Sequence, residues 1–475
     1  MRRGVLDEKS TKQHEREGDG MWYHGKGPVV RRLGGVVLLA LAVALAPGGT
    51  GASAGTEDPD IADVRTLPQD PALYLTGDPG EVLVPRETAE RWRGSFDRAF
   101  FAPWDQRGPR GGRESLLWAF DYLASKDVYG ENRRLRSGAW FERQRKNSRE
   151  EVFGTVNRRG MTVAETDLRA FPTEEPAFFS FERAGEGYPF DYLQNSRLKP
   201  GEPFFVSHVS LDGRWAFGDA SFASGWVDVR HLAWVDDEAA ASWRRGPFAV
   251  VWARDVPLRD LRGEFLAVAT TGTLLPLEGC DVLSGLRVRV PRRGPDGRLE
   301  GVLVRLSFEE AAPFPLEFTG WNAARMASAL AGEPYGWGGF LNRRDCSAMV
   351  RDFFAPFGLW LPRNSKAQGM SGVVREVGSL DRHAKEKILR EEGRPWRTLV
   401  YLPGHIMLYV GSWRGRAVVF HNTWGIRTLS GDREGRHIVG GAVFSTLAPG
   451  LELPDLFPDK GIVANRVTSF VLLGE

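Results

Sequence analysis

Residues 403–425 read PGHIMLYVGSWRGRAVVFHNTWG, and this stretch decides how the chain around it is read. Residues 406–410 and 417–420 are short apolar runs suited to strands, and the glycine-bounded segment 411–415 predicts a hairpin loop between them. If Val410 pairs with Arg416, the register sum is 410 + 416 = 826, and 405 + 421 is also 826. That register places His405 and His421 directly opposite each other on one face. Opposed residues have Cβ atoms about 4.5–5.5 Å apart, so one imidazole can orient the other. The plain alternative is a cross-strand polar pair without function.

Upstream, Tyr335-Gly336-Trp337-Gly338-Gly339 leads into Asp345-Cys346-Ser347. Met349, Val350, Phe353, Phe354 and Phe357 then recur at helical spacing. Cys346 therefore stands where a loop becomes a helix, and the unpaired amides of a helix start favour a thiolate. The alternative is a small buried hydrophobe, which describes most lone cysteines; Cys280, within a β region, is read that way. A helix-start cysteine, a base histidine and a second orienting histidine make a nucleophilic set. A further helix over residues 321–330 precedes the cysteine, and strands follow it at 398–402, 406–410 and 417–420. Helices followed by strands predict an α+β domain.

Asp345-Cys346-Ser347, the block from Pro403 to Gly411 and His421-Asn422-Thr423-Trp424-Gly425 together resemble the three signature blocks of NlpC/p60 cysteine peptidases. The resemblance covers about residues 315–475. It implies a papain-like core in which Cys346 is the nucleophile, His405 the base and His421 its orienting partner. It implies cleavage of the γ-D-glutamyl–diamino acid bond in peptidoglycan stem peptides or muropeptides. A free N-terminal L-alanine on the substrate is the preference of relatives with SH3-like domains. Tyr335 would border the site and either help the Cys346 amide hold an oxyanion or only pack the loop. Asp345 has two readings, a carboxylate for the substrate ammonium or a helix N-cap. Ser347 would add a hydrogen bond and Trp337 an apolar wall. The charged interval 366–397 departs from the family pattern and reads as a loop near the cleft.

Between residues 166 and 314 the texture is β, with Asp212-Gly213 as a tight-turn signal. Residues 166–240 and 241–314 are expected to be two small SH3-like barrels, and the first, around Trp226 and Asp228, is expected to close the far end of the cleft through side chains that the sequence does not single out. Residues 55–165 are expected to be mostly helical, at 87–92, 114–125 and 138–146. Residues 1–54 hold Lys26, Arg31 and Arg32, then an apolar run over 33–46, then Ala52-Ser53-Ala54. This is the pattern of a secretory signal, and it implies a protein exported to the periplasm or facing the cell wall, with no membrane span after cleavage.

Composition narrows the field further. The 475 residues are 42% hydrophobic and carry a net charge of only +2, which excludes a disordered chain and gives no argument for nucleic acid. Two cysteines exclude a disulfide scaffold and Cys-rich metal sites. No HExxH, Walker loop or dinucleotide fingerprint is present, so no cofactor is expected. His208, His231, His383 and His437 have no partner pattern and are read as surface or turn residues. The competing function is a non-catalytic wall-binding protein that uses its SH3-like barrels.

Overall fold

The computed structural model describes residues 61–475, and the expected signal segment lies outside the described residues. None of the described helices is long and apolar enough to cross a membrane.

The helix Arg86–Phe101 buries Thr88, Trp92, Phe96 and Phe100, every fourth residue, as one apolar stripe. Phe96 packs 5.3 Å from Phe314 and Trp92 packs 5.9 Å from Phe318, centroid to centroid. This helix thus shares a core with Met326, Phe353 and Phe354 of the C-terminal region. Helices Glu114–Leu123 and Gly138–Asn147 form a second small cluster around Phe120, Trp140 and Phe171.

The first β unit is a seven-stranded antiparallel sheet in the order Gln194–Leu198, Thr166–Arg169, Ser224–Asp228, Trp215–Asp219, Pro203–Val209, Arg158–Thr162, Leu232–Trp234. The strand Arg158–Thr162 comes from the stretch expected to be helical, so this unit starts earlier than the composition suggested. Trp226 is fully buried against Phe217 and His208, and Asp228 is bound to Arg214 and Arg230. These two side chains are thus used inside the unit itself. His208 is also no surface residue: its imidazole is buried and bonds the Ser148 carbonyl at 2.8 Å.

The second β unit has a five-stranded sheet and a separate strand pair over residues 248–314, packed around Val251, Leu258, Val288 and Val304. Cys280 is exposed here, not in the core, because the end of its strand Leu274–Asp281 runs past the packed layer. Both cysteines are free thiols.

In the C-terminal region, helices Gly320–Leu330 and Cys346–Phe354 lie on a six-stranded sheet. Its order is Val373–Glu376, Ser469–Leu472, Thr398–Leu402, His405–Trp413, Arg416–Ser430, Arg433–Thr446. Ile406, Leu408, Val418 and Phe420 face the helices, while Met407, Tyr409 and Val419 face the opposite layer. The charged interval is not a loop. It supplies Val373–Glu376, the strand at one edge, and the helix Arg382–Glu392. The buried Lys385 of that helix donates to the carbonyls of Ala464 and Asn465.

The strand at the other edge, Arg433–Thr446, is capped by residues near the described N-terminus. The Gln69 amide both donates to the Phe444 carbonyl (3.0 Å) and accepts from its N–H (2.9 Å), replacing a neighbouring strand. The Asp63 carboxylate accepts from the N–H and hydroxyl of Thr446, and Tyr74 stacks 5.3 Å from Phe444. Gln69→Ala leaves both edge groups of Phe444 without their partner. It should lower unfolding free energy by about 1–3 kcal/mol. Urea unfolding should show an earlier midpoint at an unchanged m-value.

Candidate active site

Cys346 is the first residue of its helix, and Asp345 is the N-cap, accepting from the Ala348 N–H at 2.8 Å. The same carboxylate accepts from the Gly338 N–H (3.1 Å), the Ser347 hydroxyl (3.0 Å) and both terminal nitrogens of Arg363 (3.0 and 2.7 Å). Asp345 and Ser347 are both buried. They are committed to one another and to Arg363 inside the protein; burial works to raise the Asp345 carboxyl, but the Arg363 charge and the hydrogen bonds to the carboxylate outweigh it and hold it below its usual range. Arg363 extends outward to the Ser196 hydroxyl of the first β unit, at 2.8 Å.

A buried ion network fixes the other flank. Arg344 binds Glu333 and Asp352, each at 2.7 Å, and donates to the Thr271 carbonyl of the second β unit. Lys199 of the first β unit also pairs with Asp352. Two residues before the thiol, the chain is therefore anchored to both β units.

The histidines meet, although not by the expected register. Leu408 pairs with Phe420 and Tyr409 with Val419, so the ladder sum is 828. Continuing it puts Met407, not His405, opposite His421. The hairpin turns on only two residues, Arg414 (φ 49°) and Gly415 (φ 78°), and a bulge follows Tyr409. A shift of two residues preserves the face, so the rings still meet along the diagonal, with His405 Nε2 2.8 Å from His421 Nδ1. His421 Nε2 lies 2.9 Å from the Ser445 hydroxyl, which donates to the Thr446 carbonyl at 2.9 Å.

The backbone amides of Ile406, next to His405, and of Ser347 favour a charged Cys346 sulfur. Burial nevertheless pushes the thiol up to about 12, with the Asp345 charge adding to it. Burial also pushes His405 down to about 4, with Arg466 adding, and pulls His421 well below its usual value. The resting site thus holds a neutral thiol and neutral imidazoles. The helix start does not produce the expected thiolate, because desolvation outweighs it.

Tyr335 and Trp337 sit in an aromatic wall. Phe190 of the first β unit lies 6.2 Å from Tyr335, 5.3 Å from Trp337 and 5.8 Å from Trp424. Tyr192 adds a contact 6.1 Å from Trp337. The Tyr335 hydroxyl is near enough to Cys346 and Asp345 for their charges, after burial, to raise its pKa well above the phenolic range. Gly338 (φ 61°) lets the glycine-rich loop lie against the first β unit, since a Cβ there would stand 2.1 Å from the Gln194 carbonyl oxygen.

Residues 332–432 match the model of the NlpC/P60 family. The chain carries an NlpC/P60 domain. Residues 36–153 match the N-terminal NLPC_P60 stabilising domain, and residues 176–228 match an SH3 domain of the SH3b1 type. Among solved structures, an NlpC/P60 endopeptidase from Photobacterium damselae subsp. piscicida is similar over 86% of this chain and 98% of its own, at 23% identity and a TM-score of 0.78. A Bacillus cereus ATCC 10987 NlpC/P60 family protein is similar over 67% of this chain and 100% of its own, at 15% identity and a TM-score of 0.45. No curated protein matches the chain. The first likeness, which spans 86% of the chain, shows that the fold beyond the NlpC/P60 domain recurs elsewhere.

Several functional neighbours had no sequence signal that singled them out. Arg363 follows a proline in a loop, and Phe190 and Tyr192 lie between strands. Ser445 was accessible in principle, two residues beyond Val443, which pairs with His421.

The depressed histidines make stability depend on pH. As pH falls below about 6.5 the unfolded chain takes up a proton, whereas folded His405 stays neutral down to about 4. The contribution from keeping this ring neutral is therefore present above about 6.5 and lost as pH falls through that window. Urea unfolding at pH 6.5, 5.5 and 4.5 should show a smaller loss of stability in His405→Gln than in the wild type.

Proposed function

We propose that this protein is a cysteine endopeptidase acting on peptidoglycan stem peptides, with Cys346 as nucleophile, His405 as base and His421 as the group that orients it. The observation that carries this reading is the 2.8 Å contact between His405 and His421, with the amide of the adjacent Ile406 favouring a charged sulfur on Cys346 at the start of its helix. The NlpC/P60 match supports the same chemistry.

In this mechanism the substrate carbonyl approaches the Cys346 sulfur as His405 removes the thiol proton. The new ion pair is stabilised by the incoming charge distribution rather than stored in the resting enzyme. The tetrahedral oxyanion lies at the helix start, where the Cys346 amide and the Tyr335 hydroxyl are the available donors. Collapse breaks the C–N bond, His405 returns the proton to the leaving amine, and a thioester remains. Water then attacks the thioester with His405 again as base, regenerating the thiol.

The finer part of the proposal is the substrate. The bond cleaved is γ-D-glutamyl–diamino acid, in peptides with a free N-terminal L-alanine. The aromatic wall of Phe190, Tyr335, Trp337 and Trp424 narrows one side of the site, which suits a short peptide end better than a continuous polymer. Asp345 is already neutralised by Arg363, so an ammonium group would share that carboxylate instead of finding it free. Stem-peptide cleavage places the protein on the wall-facing side of the cell.

The test uses synthetic L-Ala-γ-D-Glu-diaminopimelate. Cys346→Ala should lower kcat/KM by more than about a thousandfold, and near-normal hydrolysis by that variant would remove the mechanism. His421→Asn should retain more activity than His421→Ala, since an amide can still orient His405. Tyr335→Phe should lower kcat by about tenfold to a hundredfold if its hydroxyl binds the oxyanion. An acetylated amino end should reduce kcat/KM strongly, and equal values for the two peptides would exclude amine recognition.

A further inference from the structure

We propose that Ser445 is a positioning residue that sets the direction of every proton between itself and the catalytic base, an inference that rests on His405 acting as that base. The argument is a count of protons along one chain of hydrogen bonds. It begins at the Thr446 carbonyl, which can only accept.

Ser445 Oγ lies 2.9 Å from that carbonyl oxygen, and its single proton goes there. Toward His421 Nε2, also 2.9 Å away, Oγ can then only accept, so Nε2 carries the ring proton. A neutral His421 has no second proton, which leaves Nδ1 as an acceptor. Nδ1 is 2.8 Å from His405 Nε2, so His405 must donate from Nε2. The remaining nitrogen of a neutral His405, Nδ1, is left with a free lone pair. That is the state a general base requires.

The opposite arrangement is self-consistent as well. If Ser445 donated to His421, every proton in the chain would reverse, and His405 would carry its proton on Nδ1 with no base available. The Thr446 carbonyl decides between them, because the reversed chain leaves it without the serine proton. Its position is fixed independently, since the Asp63 carboxylate holds both the N–H and the hydroxyl of Thr446, at 2.7 and 2.6 Å. Ser445 is 1% exposed and His421 2% exposed, so bulk water does not compete for these groups. When His405 takes up the thiol proton on Nδ1, no other hydrogen in the chain has to move.

The test is a side-chain 15N–1H correlation spectrum of the full chain labelled only at histidine, at pH 7. Eight histidines are present, and His405→Gln and His421→Gln assign the two that matter. Both rings should be protonated on Nε2 in the wild type. A proton on Nδ1 of resting His405 would overturn the proposal whatever the activity. Ser445→Ala should move His421 toward the Nδ1-protonated form and lower kcat about tenfold with KM unchanged. Ser445→Thr, which keeps the hydroxyl, should restore both. Unchanged 15N shifts and kcat in Ser445→Ala would also overturn it. Should Ser445→Ala fail to fold, the wild-type spectrum still decides. Nε2 protonation of both rings without turnover of any stem peptide would uphold the proton assignment and remove the peptidase reading instead.

Discussion

The carboxylate of Asp345 is the constraint on which the site depends. One side chain caps the Cys346 helix, holds the glycine-rich loop through Gly338, binds the neighbouring Ser347 hydroxyl and pairs with Arg363. A buried carboxylate is costly unless each of its lone pairs is used. Here the groups that use them belong to three segments that must converge for the thiol to be placed. The helix start, the loop carrying Tyr335 and Trp337, and the segment carrying Arg363 thus share one electrostatic centre.

The units around the NlpC/P60 domain extend that centre outward. Arg363 reaches Ser196, and Lys199 and Thr271 reach the ion network beside the cysteine. Phe190 and Tyr192 of the first β unit supply part of the aromatic wall. On the opposite side, Asp63 and Gln69 fix Thr446 and Phe444, the two neighbours of Ser445. The site is therefore assembled from segments across the described chain, although Cys346 and the two histidines come from one domain. Contacts of this kind tie the segment that matches the stabilising domain to the edge of the NlpC/P60 sheet.

Much of this was legible in the sequence. The helix of Cys346, the strands at 398–402 and 406–410, and the placement of His405 and His421 on one face follow from apolar periodicity and strand alternation. The register differs from the expected one because Arg414-Gly415 is a weak turn signal and a bulge after Tyr409 leaves no local trace. The difference is two residues, so alternation keeps both histidines on one face. What stayed hidden was long-range: Arg363 and Phe190 lie in irregular segments, and only the folded chain brings them to the cysteine. Cys280 and His208 exchanged their expected environments for the same reason. Strand composition does not say where a strand outruns its core, or which histidine a barrel will enclose.

The thiol and imidazoles add a second lesson about opposing forces. The helix start and the Ile406 amide favour a charged sulfur, while burial disfavours it and prevails. A double-mutant cycle on Asp345 and Arg363, read by urea unfolding, tests most directly whether the ion pair at the centre governs the site. Asp345→Asn and Arg363→Met alone should each cost about 3–5 kcal/mol by stranding a buried charge. The double variant should cost clearly less than their sum, with a coupling of at least about 2 kcal/mol. Additive losses, within about 0.5 kcal/mol, would contradict the central place given to this pair.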